Sequence, residues 1–103
     1  MIEIKSREYW FKIVEFLQQN WALVDLQRDS SATIFFINDA SGVFDRLYYS
    51  SMADAQKALR FNGFKPFSED DETLSFIAEP KAPFHETSHP NGPIYSSGRF
   101  WKT

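Results

Sequence analysis

The sequence predicts an α+β fold: an antiparallel sheet, a three-stranded meander plus one or two further strands, with two helices packed on one face. Three observations carry that expectation. Two runs rich in β-branched and aromatic residues, ATIFFIN and GVFDRLYY, are separated by turn signals. Stretches with helical spacing of apolar residues lie on either side of them. The chain has 103 residues, 43% of them hydrophobic and 24% charged, which is the size and composition of one compact domain.

Taken in order, Ile2 and Ile4 alternate with polar neighbours and predict a short first strand. Ser6 can cap a helix whose Trp10, Ile13, Val14 and Leu17 form an apolar stripe, widened by Tyr9 and Phe16 and ended at Asn20. In WALVDLQ, Ala22, Val24 and Leu26 share one side of a strand. The turn Arg28-Asp29-Ser30-Ser31 joins it to ATIFFIN, and Asp39-Ala40-Ser41-Gly42 joins that strand to GVFDRLYY. Strict alternation along GVFDRLYY places Val43, Asp45, Leu47 and Tyr49 on one face and Phe44, Arg46 and Tyr48 on the other.

A second helix is expected from Ser51, which with Asp54 makes a cap of the capping-box type, to Asn62-Gly63, a left-handed stop. Met52, Ala55, Ala58 and Leu59 form its stripe, and Phe64 is placed to fold back on its last turn. After the acidic run Glu69-Asp70-Asp71-Glu72, a solvated loop, residues 73–78 alternate as a final strand that Pro80 closes. The domain is therefore expected over residues 1–79. Residues 80–103 hold four of the five prolines and an aromatic end, Tyr95, Phe100 and Trp101, and read as a tail. These rings are too apolar to stay in water at no cost, so the tail is expected to dock on the sheet face carrying Phe44, Arg46 and Tyr48.

Helix, three strands, helix over residues 6–62 resembles the element order of the double-stranded-RNA-binding domain. Such domains open their second helix with lysines that meet phosphates, whereas here it opens Ser51-Met52-Ala53-Asp54, with an acid where bases are needed. With the terminal strands added, the order approaches a ferredoxin-like sandwich with one extra strand.

The stretch His85-Glu86-Thr87-Ser88-His89 matches the His-Glu-x-x-His pattern of zinc hydrolases, which requires both histidines on one helical face. Pro83 and Pro90 leave six residues between them, and Glu86 is the only acid after Glu79. The spacing is read as accidental, with no metal and no cofactor. No serine sits in a nucleophile elbow and no phosphate-binding loop is present, so the chain is expected to be no enzyme. The absence of cysteine excludes a disulfide framework and a thiolate nucleophile, and no apolar run reaches bilayer-spanning length. A cytoplasmic protein is expected.

Residues 1–80 carry eight Lys/Arg against thirteen Asp/Glu, so the body would repel a polyphosphate on average. The aromatic share of 17%, with eleven Phe, exceeds ordinary usage. The leading expectation is therefore a protein-interaction module (adaptor, inhibitor or regulatory subunit) with a binding surface built from Phe44, Arg46, Tyr48, Tyr95, Phe100 and Trp101. The alternative is a nucleic-acid-binding domain that uses Phe44, Arg46 and Tyr48 as a stacking platform.

Overall fold

The computed structural model describes residues 2–15, 18–69 and 78–87. They form strands β1 (Trp10–Glu15), β2 (Gln18–Leu26), β3 (Ala32–Ile37) and β4 (Gly42–Tyr49), helix α1 (Met52–Phe61), strand β5 (Lys65–Pro66), a 3-10 turn (Phe67–Glu69) and strand β6 (His85–Glu86). The six strands make one sheet in the order β5-β1-β2-β3-β4-β6. Neighbours pair antiparallel except β4 and β6, which run parallel, so the sheet is mixed rather than antiparallel. No helix among the described residues is long and apolar enough to cross a membrane.

The meander follows the sequence pattern. Both of its turns are closed the same way: Ser30 and Ser41 take positive φ, and Asp29 and Asn38 accept hydrogen bonds from backbone N–H groups two to four residues on. Helix α1 also keeps its expected ends. The Ser51 hydroxyl accepts from the Asp54 N–H at 3.1 Å, while the Asp54 carboxylate turns to Ser50 rather than closing the box. Gly63 sits at φ +91°, and the Phe64 and Gly63 N–H groups return to the Leu59 and Arg60 carbonyls, the Schellman arrangement, with Phe64 buried beside Leu59.

Residues 6–20 depart from the expectation, because a β-hairpin, β1 and β2, replaces the predicted first helix. Trp10 pairs with Ala22 and Phe11 with Trp21. Trp10 is buried on the α1 side of the sheet and its neighbour Phe11 on the other. Consecutive residues buried on opposite sides suit a strand, whose side chains alternate, and do not suit a helix with one apolar face. When both faces are covered the polar alternation that marks a strand disappears, and only an incidental helical spacing is left to read. The predicted strand at Ile2–Ile4 also reduces to a single bridge, Ile2 with Phe84. Residues 73–77 of the predicted last strand lie outside the described residues, and Ala78 is not in a strand.

With one α-helix among the described residues, the two faces are covered by different means. On one, α1 packs Ala55 and Leu59 onto Ala22, Ile34 and Phe36. On the other, the segment before β1 and the segment before β6 bring Ile4, Tyr9 and Phe84 onto Trp21, Leu23 and Ile37. Trp21 is fully buried there, stacked on Phe11 at 5.7 Å and met edge-on by Phe67 at 5.1 Å, while its indole N–H donates to Asp39 at 2.8 Å. Irregular chain needs polar anchors for its backbone. The Asp25 carboxylate, itself buried, accepts the N–H groups of Lys5 and Ser6 at 2.8 Å each, and the Tyr9 hydroxyl donates to the Pro80 carbonyl at 2.6 Å. Burial pushes the Tyr9 phenol above its ordinary pKa. As far as Thr87, the stretch whose composition reads as tail is thus part of the sheet and its cover.

Two predictions follow from these contacts. Ser51→Ala should lower stability by about 1 kcal/mol, and Gly63→Val by roughly 1–3 kcal/mol, since a β-branched residue is strained at that φ. Urea unfolding of both variants checks this. Asp25→Ala removes the acceptor of two N–H groups and should cost about 1–3 kcal/mol. Amide exchange at Lys5 and Ser6 should accelerate more than the global loss explains; unchanged exchange there would mean that the N-terminal segment is held by other contacts.

Candidate functional site

The register of the sheet orders its irregularly covered face into rows. Trp21, Ile37 and Val43 form the first, Leu23, Phe35 and Arg46 the second, and Asp25, Thr33 and Tyr48 the third. Cover is complete over the first row, where all three side chains are buried. It thins toward the C-terminal end of β4: Arg46 is partly exposed and Tyr48 is 74% exposed.

This uncovered corner is a shallow concavity of about 720 Å³ whose lining includes Lys5, Arg28, Asp29, Phe35, Arg46 and Tyr48. The Arg46 guanidinium lies over the Phe35 ring, 5.5 Å from its centroid, and pairs with the Glu86 carboxylate of β6. Thr33 is buried at the floor and its hydroxyl accepts from the Gln27 amide. Hydrogen bonds from the Ser31 hydroxyl and N–H hold the Asp29 carboxyl below its ordinary pKa. Asp25 nearby is satisfied by backbone N–H groups. The lining therefore offers three cations against one carboxylate that is already hydrogen-bonded.

The residues singled out in the sequence separate here. Arg46 and Tyr48 share this corner. Phe44 does not: it is 5% exposed and packed in the α1-side cluster beside Phe36. The cause is a β-bulge. Phe36 pairs with Asp45 and Ile37 with Val43, so Phe44 is an extra residue and the alternation reverses across it. Phe35, which strand alternation could have placed opposite Arg46 had the register been readable, takes the position expected for Phe44. Tyr95, Phe100 and Trp101, and with them the expected docking of the tail, lie outside the described residues.

A second concavity, of about 1000 Å³, is lined in part by Arg7, Tyr9, Trp10, Arg60, Glu79 and Lys81. Four of its charged groups already have contacts. Arg7 donates to the Ile4 and Ser6 carbonyls, Arg60 lies over Trp10, and Lys81 pairs with Glu79, which lowers the Glu79 pKa and raises that of Lys81.

His85 and Glu86 of the zinc-like pattern form β6, so their side chains point to opposite sides, and His85 packs against Gly42. The helical geometry that the pattern needs is not formed at these two residues; His89 lies outside the described residues. Among the described residues, no three His, Asp or Glu side chains come together as a metal site would require.

The chain matches no protein-family model, no curated protein and no solved structure. Function is therefore argued from the site itself.

The bulge yields a direct prediction. Phe44→Ala should lower stability by about 3–5 kcal/mol, as for other buried rings. Tyr48→Ala and Arg46→Ala should each cost at most about 1 kcal/mol, because one ring is exposed and one ion pair is at the surface. Chemical denaturation of the three variants measures the contrast, and equal losses would place Phe44 and Tyr48 on the same face.

Proposed function

We propose that the protein is a non-catalytic protein-interaction module, an adaptor, inhibitor or regulatory subunit of the cytoplasm, that meets its partner at the corner of the sheet around Tyr48. The observation that carries this reading is the exposed Tyr48 ring beside the Arg46 guanidinium, which lies over the Phe35 ring and pairs with Glu86. Tyr and Arg side chains held in place at a surface are the residue types that dominate binding energies between proteins. Leu26, 60% exposed, and the aliphatic stem of Lys5 extend the apolar part of the same corner.

The nucleic-acid alternative draws on the same cations, Lys5, Arg28 and Arg46. It is less well supported because stacking needs free ring faces. Phe44 is on the other side of the sheet, and Arg46 already covers Phe35. Of the three platform residues, Tyr48 keeps an exposed ring.

Affinity capture from nuclease-treated lysate, with wild-type protein and Tyr48→Ala side by side, tests the proposal. A protein retained by the wild type should bind the variant roughly tenfold more weakly. Retention that disappears with nuclease, or that falls steeply and linearly on a log–log plot against salt, would favour the nucleic-acid alternative instead.

A further inference from the structure

The Arg46–Glu86 pair suggests what the partner brings to this corner. Glu86 belongs to β6, a strand of two residues that pairs with Gly42 and Val43 at the start of β4. Its side chain is 63% exposed, yet it reaches the Arg46 guanidinium. That guanidinium also lies over the Phe35 ring, 5.5 Å from its centroid, and a guanidinium carries five N–H donors in a planar fork that suits a carboxylate. Lys5 and Arg28 stand around the same concavity, the one acid of its lining, Asp29, is occupied by Ser31 donors, and Asp25 nearby is occupied by backbone N–H groups. The position above Arg46 is thus built to receive a carboxylate and currently holds one from the chain itself.

We infer that the corner binds a carboxylate-bearing segment of a protein partner, with an acidic side chain on Arg46 and apolar contact on Tyr48, and that Glu86 is an internal competitor which the partner's carboxylate displaces. This rests on the protein-interaction reading above and goes beyond it in naming the partner's chemistry and the contact that opposes binding. Charge complementarity favours this occupant: three cations line the concavity of a chain whose formal net charge is −3. An exposed ion pair is weak, so exchanging Glu86 for an incoming carboxylate costs little, and removing Glu86 should strengthen binding modestly.

The test is a titration of the isotope-labelled full chain, followed by backbone amide shifts, with a short peptide of alternating Glu and Val. Shifts should concentrate at Lys5, Arg28, Arg46 and Tyr48. Glu86→Gln should tighten binding about two- to fivefold, the range an exposed ion pair spans. In an Arg46→Ala background the same change should have almost no effect, which separates direct competition from a general change in charge. If Glu86→Gln leaves the affinity unaltered while Arg46→Ala and Tyr48→Ala weaken it, the competitor is disproved and the surface stands. If the peptide shifts none of the four residues, the carboxylate assignment falls, whatever lysate capture shows. A thymidine oligonucleotide of equal length that shifts the same residues at lower concentration would also overturn it. Melting curves of Glu86→Gln and Arg46→Ala that overlay that of the wild type exclude unfolding as the cause.

Discussion

The sheet is buried on both faces although one α-helix is available among the described residues to cover it, and much of the structure follows from that constraint. The second face is closed by chain with little regular structure, and such chain cannot satisfy its own backbone. Side chains supply the missing partners. Asp25 ties down Lys5 and Ser6, Tyr9 ties down Pro80, and the Ser41 hydroxyl donates to the Lys81 carbonyl. Each anchor lets an apolar residue nearby, Ile4, Tyr9 or Phe84, reach the aromatic group around Trp21. Polar pairing and ring packing are therefore coupled on this face: loss of an anchor frees both a backbone donor and the apolar cover beside it.

Cover made of chain segments ends where the segments end. The N-terminal segment crosses the sheet near Asp25 and β6 reaches only the first residues of β4, so the last rows of the face carry progressively more polar and exposed side chains. Thr33 is buried there with its hydroxyl engaged by Gln27, the Arg46 guanidinium is 5.5 Å from the Phe35 centroid, and Tyr48 is exposed. The candidate site is thus a consequence of how the second face is closed. Arg46 belongs to both descriptions, since its guanidinium lies over the Phe35 ring and pairs with the Glu86 carboxylate of β6.

The bulge at Phe44 links the two faces. One extra residue in β4 turns Phe44 into the helix-side core and hands the opposite face to Arg46 and Tyr48. Without it, the buried ring and the exposed one would share a side, and α1 would lose its contact with Phe44. Gly42, just before it, has no room for a side chain, because a Cβ would come within 2.9 Å of the Thr87 methyl. The start of β4 is thus fitted closely against the β6 segment that carries Glu86.

Local chemistry made several elements legible in the amino-acid order alone. Helix α1 is one, because Ser51 and Gly63 act on backbone groups within a turn of themselves. The meander is another, its turns closed by Asp29 and Asn38 over two to four residues. Arg46 and Tyr48 also read correctly as neighbours on one face, two positions apart beyond the bulge. What only the tertiary structure decided depends on partners distant in sequence. Trp10 and Phe11 became a strand because separate clusters on opposite faces bury them, and that erased the alternation by which a strand is recognised. Phe44 changed sides through a bulge whose register is set by β3. Phe35 entered the site, and Glu86 came to face Arg46, through pairing across the sheet, a spacing that no periodicity within a single segment encodes.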